Sequence, residues 1–145
     1  MYETILLPLD TTETDKPIIE HVTTLATTMK SSVVLLHVVT GPQAEWNGPD
    51  AAGEQVEKTR AYLDGVRGQL EAAGVPARVD MGFGEPAREI VRWVETNGCD
   101  LVAMGTHGHR WLSDIVLGFT ASRVQHAVSV PVLLLRSRAR RRPEA

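Results

Sequence analysis

The sequence predicts an α/β fold, an open five-stranded parallel sheet of the Rossmann-like kind with helices on both faces. Short apolar runs rich in β-formers alternate along the chain with longer segments whose apolar residues recur at helical spacing. Most of the short runs lack the polar–apolar alternation of a half-exposed strand, which indicates strands buried on both faces. Strands and helices that alternate in this way form right-handed βαβ units, and such units build a parallel sheet that is covered on both sides.

The first part of the chain supplies two strands with a helix between them. Residues 4–9, TILLPL, and residues 33–39, VVLLHVV, are the two buried strands. Thr14 or Asp15 can cap the intervening helix, and Pro17 is tolerated in its first turn. The apolar face of this helix is formed by residues at helical spacing, namely Ile18, Val22, Leu25 and Met29.

The middle of the chain begins with residues 41–53, where frequent glycine and proline predict a loop. A helix is predicted over residues 54–73, and Gly74 suits the position just after its end. Residues 77–83, ARVDMGF, form the third strand. Their partial alternation indicates that this strand is less buried than the first two.

The last part of the chain supplies two more helices and two more strands. Pro86 starts a helix that ends at Gly98, and residues 100–105, DLVAMG, form the fourth strand. The final helix is predicted to start near residues 118–120, and the fifth strand, VLLLR, occupies residues 132–136. The apolar face of the final helix is assigned to Thr120, Val124, Ala127 and Val128.

Length and composition limit the possible functions. The chain has 145 residues, 43% hydrophobic and 23% charged, which fits one domain over residues 1–137 and a basic, disordered tail at 138–145. A formal net charge of −3 disfavours a nucleic-acid partner, because nucleic-acid binders normally present a basic face. The single cysteine, Cys99, suits a reducing compartment; its expected role is that of a small packed hydrophobe, with a redox role as the alternative.

The chain shows no targeting or membrane segment that we can identify. Its first residues lack the basic start and the roughly 7–15 apolar residues of a signal peptide. No run approaches the ~18 apolar residues that a membrane span needs. We therefore expect a cytoplasmic protein with no membrane partner.

A ligand site is expected at one edge of the sheet. In an open parallel sheet, ligands bind beyond the carboxyl ends of the strands, where the strand order reverses. The residues at those ends are Pro8, Leu9 and Asp10 for the first strand, Val38 and Val39 for the second, and Met104 and Gly105 for the fourth. We expect these three sets to converge on one crevice lined by main-chain amides.

Residues 104–122, MGTHGHRWLSDIVLGFTAS, place three glycines between the fourth strand and the final helix. Glycines let main-chain N–H groups approach an oxyanion closely, and the start of a helix favours an anion. Thr120 and Ser122 can add hydroxyl donors. The spacing matches neither a Walker loop nor the dinucleotide pattern GxGxxG. From spacing alone the glycines form either a phosphate cradle or only a chain reversal.

The spacing Gly105-x2-Gly108-x9-Gly118 resembles the signature of the universal stress protein family, G-x2-G-x9-G followed by Ser or Thr. The resemblance extends over nearly the whole chain, through ILLPLD, VVLLHVV, GEPAREIV, CDLVAMGTHGH and ASRVQHAVSVPVLLLR in that order. It implies a five-stranded fold of the adenine nucleotide alpha hydrolase-like kind and a homodimer formed through the last strand, Val130 to Arg136. In one branch of the family it also implies ATP binding.

The resemblance assigns the base end of a nucleotide site. Asp10 resembles the family aspartate that ends strand one near the adenine and ribose, and Pro8 and Leu9 share its turn. Val38 resembles the residue whose backbone meets the adenine edge. His37, inside the second strand, is expected to be a hydrogen-bonded core or interface histidine.

The resemblance also assigns the phosphate end. Residues implied to lie against the ribose and phosphates are Met104, Gly105, Gly108, Gly118 and Thr120. His107 and His109 flank the middle glycine. Contact with a phosphate or with solvent is expected for these histidines rather than a metal ion, since no further metal ligands stand at suitable spacing.

Phe119 departs from the family pattern, because it stands where the ATP-binding branch carries Ser or Thr. Losing that hydroxyl contact to a phosphate costs about 1.5–3 kcal/mol, roughly a ten- to hundredfold loss of affinity. If the Phe119 ring occupied the space that the phosphates need, it would instead abolish binding. The expected ligand is ATP, with Mg²⁺ held through Asp10 where a metal is present, and AMP or cyclic AMP as alternatives. A nucleotide-free stress protein that acts through protein contacts is the competing hypothesis.

No pairing of nucleophile and base stands out in the sequence. We therefore expect a regulatory module without catalytic residues, in which ATP hydrolysis is at most very slow. A weak ATPase is the alternative. The apolar fifth strand favours a homodimer, because unpaired main-chain groups at a sheet edge invite pairing with a second copy.

Overall fold

The computed structural model shows a five-stranded, all-parallel sheet with strand order β3-β2-β1-β4-β5, which confirms the predicted fold class. The strands are β1 (Thr4–Pro8), β2 (Ser32–Val39), β3 (Ala77–Phe83), β4 (Leu101–Thr106) and β5 (Val132–Arg136). The helices are α1 (Lys16–Met29), α2 (Gly48–Ala72), α3 (Pro86–Asn97) and α4 (Ser113–Ala127). A short 3₁₀ helix, Glu13–Asp15, precedes α1.

The structure describes residues 1–40, 53–106 and 120–136 with their side chains, and residues 48–52 and 113–119 by their backbone alone. The tail from residue 137 and the middle of the glycine stretch, residues 107–112, lie outside the described residues, as do residues 41–47. Within the described parts of the chain, no helix is both long enough and apolar enough to cross a membrane.

The sheet divides the core into two layers, because consecutive strand residues point to opposite faces. Ile5 and Leu7 of β1 belong to the layer formed with α1 and α2, whereas Leu6 belongs to the layer formed with α3 and α4. Right-handed crossovers produce this arrangement. The chain moves outward from β1 to β2 and β3 with its helices on one face, and it then returns to the other side of β1 for β4 and β5.

The strand order therefore reverses between β1 and β4, and the pairing of these two strands stops before the end of β1. Their register pairs Ile5 with Leu101 and Leu6 with Val102, whereas the β1–β2 register continues to Pro8 and Leu36. The Leu9 N–H donates to the Leu36 carbonyl oxygen at 2.8 Å. Because main-chain groups alternate in direction along a strand, the nitrogen of Pro8 faces β4, and proline has no hydrogen to donate there. A crevice opens between the two carboxyl ends.

Two helices begin earlier than the sequence predicts. Helix α2 begins at Gly48, inside the segment expected to be a loop, because proline is tolerated in the first turn of a helix. Helix α4 begins at Ser113, where serine and aspartate favour a helix start, rather than near residues 118–120. Gly118 consequently lies inside α4, a position that costs about 1 kcal/mol relative to alanine but does not end a helix.

Candidate functional site

A cavity of about 520 Å³ lies at the carboxyl edge of the sheet, where β1 and β4 part. This volume falls within the range of small-molecule and cofactor sites. Three strand ends, the turn after β1 and two helices form its walls. The lining residues are Pro8, Leu9, Asp10, Thr12, Thr14, Asp15, Leu36, His37, Val38, Thr40, Pro86, Ile90, Met104, Gly105, Thr120 and Ala121.

The ends of β1, β2 and β4 meet at this cavity, as the sequence predicts. The predicted site residues that line it are Pro8, Leu9, Asp10, Val38, Met104, Gly105 and Thr120. Gly118 and Phe119 belong to α4 and are described by their backbone alone, and residues His107, Gly108 and His109 lie outside the described residues. A ligand contact for each of these residues stays a prediction.

The ends of β1 and β2 are joined by a side-chain hydrogen bond. The Nδ1 atom of His37 lies 2.7 Å from the Leu9 carbonyl oxygen. Because a carbonyl oxygen only accepts, Nδ1 is assigned the hydrogen, and Nε2 of a neutral ring is then an acceptor. The predicted hydrogen bond of His37 is confirmed. Its ring also lines the cavity, which the sequence analysis did not predict.

The turn between β1 and α1 is organised by Asp15, which the sequence analysis considered only as a helix cap. Asp15 is 1% exposed. Its Oδ1 accepts the N–H of Asp10 at 3.0 Å, and its Oδ2 accepts the N–H of Thr11 at 2.8 Å and the hydroxyl of Tyr62 at 3.0 Å. Burial raises the pKa of Asp15, and the hydrogen bonds from Asp10 and Tyr62 partly offset this rise. Asp10 itself is exposed on the cavity rim.

The phosphate end differs from the expectation in one respect. Thr120 lines the cavity, but it lies well inside α4, where main-chain N–H groups are bonded within the helix. The N–H groups expected to be free near residues 118–120 are therefore not those of a helix start. Ser122 lies two residues after Thr120 and therefore projects from a different side of the helix. It does not line the cavity.

Helix α3 contributes lining residues that the sequence analysis missed. Pro86 is the first residue of this helix and Ile90 lies one turn later. These two residues could have been predicted from the order of the elements. Helix α3 directly follows the carboxyl end of β3, so its first turn must border the same sheet edge. Glu85 caps α3 by accepting the Arg88 N–H at 3.1 Å, and it also pairs with Arg123 of α4. These contacts tie together the two helices that flank the cavity.

Cys99 lies away from this site. It is half-buried against the core layer of α3 and α4. Burial raises the pKa of its thiol, which keeps the sulfur protonated and weakly nucleophilic. Packing is therefore the role that its surroundings support. Among the described residues, no group of three or more His, Cys, Asp or Glu side chains is arranged to hold a metal ion.

Comparison with known proteins gives a consistent family. The chain matches the universal stress protein family over residues 1–136. Universal stress protein MJ0531 of Methanocaldococcus jannaschii is 30% identical over 94% of this chain and 83% of its own length. Universal stress protein MJ0577 of the same organism is 26% identical over 94% of this chain and 96% of its own length. A solved structure of MJ0577 has a TM-score of 0.84 at 29% identity, covering 97% of this chain and 99% of that one.

Two other solved structures contain adenine nucleotides. A universal stress protein in complex with cAMP has a TM-score of 0.70 at 16% identity, covering 92% of this chain and 96% of that one. The universal stress protein from Archaeoglobus fulgidus in complex with dAMP has a TM-score of 0.69 at 15% identity, covering 92% and 97%. At these identities the likeness shows the fold. The match over residues 1–136 and the curated relatives show more, namely that this chain belongs to the universal stress protein family.

Proposed function

We propose that this chain is a regulatory module that binds an adenine nucleotide in the cavity at the ends of β1, β2 and β4. The observation that carries the proposal is the convergence of Asp10, Val38 and Gly105 on one cavity at the point where the strand order reverses. The cAMP and dAMP complexes of two structural neighbours support the class of ligand. ATP is the ligand that we expect first.

The charges around the cavity favour cyclic AMP as the second candidate. The described lining residues include the carboxyl groups of Asp10 and Asp15, and no lysine or arginine stands among them. A triphosphate would therefore depend on main-chain N–H groups of residues 105–112 and on Mg²⁺ held at Asp10. A monophosphate brings less negative charge and requires fewer donors, so cyclic AMP or AMP fits the same base end with less repulsion.

Isothermal titration with ATP, AMP and cyclic AMP, each with and without Mg²⁺, tests the proposal. We expect saturable binding of at least one nucleotide, and a nucleotide that co-purifies with the protein should be identifiable by mass. Asp10→Ala should weaken binding about ten- to hundredfold, because it removes a charged hydrogen-bonding group from the base end. Asp64→Ala is the matched control, since Asp64 is an exposed carboxylate on α2 paired with Arg67.

Two outcomes would contradict the proposal. One is the absence of binding by all three nucleotides at millimolar concentration, which would favour a nucleotide-free protein that acts through protein contacts. The other is an equal loss of affinity in Asp10→Ala and Asp64→Ala, which would place the ligand elsewhere. A coupled assay that records many turnovers per minute would contradict the regulatory part of the proposal.

The proposal has further parts that the same preparation can test. We propose a single domain over residues 1–137, located in the cytoplasm, that forms a homodimer through β5 and has no nucleic-acid partner. Strand β5 is an edge strand of the sheet and carries the apolar run VLLLR. Its main-chain edge and exposed leucine support pairing with a second copy.

A further inference from the structure

The rim of the cavity contains a turn with a strained main-chain conformation, and a buried side chain stabilises it. Residues Leu9 to Asp15 connect β1 to α1 and contribute five of the lining residues, Leu9, Asp10, Thr12, Thr14 and Asp15. Thr11 has a φ of 65°, in the left-handed region that a β-branched residue rarely adopts. Such a conformation persists only where surrounding contacts impose it.

The contacts that impose it converge on one buried carboxylate. Three successive N–H groups, those of Asp10, Thr11 and Thr12, donate to the oxygens of Asp15 at 3.0, 2.8 and 3.3 Å. The Asp15 N–H in turn donates to the Thr12 carbonyl oxygen at 3.0 Å. The carboxylate therefore bonds inward to the turn that carries Asp10.

A tyrosine from a different part of the chain completes this arrangement. The Tyr62 hydroxyl, on α2, lies 3.0 Å from Asp15 Oδ2 and 3.2 Å from the Thr12 carbonyl oxygen. Both neighbours are acceptors, so the hydroxyl is the donor. Burial and the negative charge of Asp15 raise the pKa of Tyr62, so the hydroxyl keeps its proton at neutral pH. Tyr62 thus links the cavity rim to α2.

We propose that Asp15 and Tyr62 are positioning residues for the base end of the nucleotide site. The proposal rests on the function proposed above and deepens it. With four donors on its two oxygens, Asp15 has little capacity left for a ligand, so it acts through the placement of Asp10 and the neighbouring main chain. Because the turn belongs to the base end, loosening it weakens adenosine, AMP, cyclic AMP and, in the absence of Mg²⁺, ATP by a common factor that does not depend on the phosphates.

The test uses Tyr62→Phe, which removes one hydroxyl and keeps the ring in the core. Tyr2→Phe is the matched control, because Tyr2 packs against the same core layer just before β1, at the opposite end of the sheet. In titrations without Mg²⁺, we expect Tyr62→Phe to weaken the binding of adenosine and of ATP equally, about three- to tenfold. We expect Tyr2→Phe to bind as the wild type does.

Hydrogen exchange provides a readout that needs no ligand. In Tyr62→Phe the amides of Asp10, Thr11 and Thr12 should exchange faster, while the amides of β1 and β2 keep the wild-type rate. A general loss of stability would instead accelerate all of them together. Unchanged exchange at the three amides, or wild-type affinity in Tyr62→Phe, overturns the positioning role and leaves the proposed function intact. A wild-type protein that binds no adenine nucleotide overturns both.

Discussion

Replacement of Leu134 by lysine tests whether the fifth strand forms the proposed homodimer. The sheet has two edges, and they differ in composition. The outer strand β3 carries Arg78 and Asp80 within its run, and charged side chains discourage edge pairing. The outer strand β5 is apolar up to Arg136, and its central residue, Leu134, is 40% exposed in the single chain.

The size of the effect follows from this exposure. A symmetric antiparallel pairing centred on Leu134 brings its two copies opposite each other, with Cβ atoms about 4.5–5.5 Å apart. Burial of the exposed 40% of each leucine contributes about 1–2.5 kcal/mol for the pair. Two ammonium groups about 6 Å apart repel by a further ~0.7–2.8 kcal/mol, depending on the effective dielectric constant. Together these losses, about 1.7–5.3 kcal/mol, raise the dimer dissociation constant roughly 20- to 6,000-fold.

Sedimentation equilibrium at several protein concentrations and salt concentrations measures this constant. Added salt should partly restore the Leu134→Lys dimer, because salt screens the repulsion but not the lost burial. Phe83→Lys is the matched control, since Phe83 is a 54% exposed apolar residue at the end of β3, the other edge. The reasoning is refuted by a wild-type protein that stays monomeric at high micromolar concentration. It is also refuted if Phe83→Lys dissociates the dimer and Leu134→Lys does not.

Three further predictions concern stability and ligand affinity. Leu63→Ala should lower the free energy of unfolding in urea by about 2–5 kcal/mol, because Leu63 is fully buried in the layer of α1 and α2; a loss below about 1 kcal/mol would contradict this packing. Burial raises the folded-state pKa of Asp15, so the stabilisation that comes from binding a proton there is complete at low pH and is lost as pH rises through the raised pKa. The difference in unfolding free energy between wild type and Asp15→Asn should therefore decline from about pH 4 toward neutral pH, and a constant difference would contradict this. Phe119→Ser should raise ATP affinity about ten- to hundredfold in a titration, whereas an unchanged affinity would show that a hydroxyl at this position makes no phosphate contact.

The sequence predicted the sheet well because its central strands, β1, β2 and β4, are buried on both faces. In a chain of this size, apolar runs such as VVLLHVV indicate buried strands. Their alternation with segments of helical periodicity indicates the α/β fold class. The partial alternation of ARVDMGF correctly indicated a less buried strand, and the structure places this strand at an edge of the sheet. Asp15 was not predicted as the centre of a hydrogen-bonded turn, because its donors lie in the local turn and on Tyr62, forty-seven positions away.

The helix starts were less predictable, because local signals compete there. The glycines and prolines of residues 41–53 suggested a loop, but a proline in the first turn is compatible with a helix and α2 begins at Gly48. The apolar face predicted for the final helix was correct at Val124 and Val128, which belong to the core layer of α3 and α4, and wrong at Ala127. Ala127 was placed on the buried face and is exposed, whereas Ala121 is buried and lines the cavity.

The two ends of the proposed site depend on different physical features. The base end is built by the fold itself: Pro8 cannot pair toward β4, so the strands part there, and a buried carboxylate fixes the turn that carries Asp10. These features are already ordered in the ligand-free protein, so ordering them does not reduce the binding free energy. The phosphate end has no cationic side chain among the described lining residues and must rely on main-chain donors. Adenosine alone should therefore retain a large share of the binding free energy, and each added phosphate should change affinity by an amount that depends on Mg²⁺ and on residue 119.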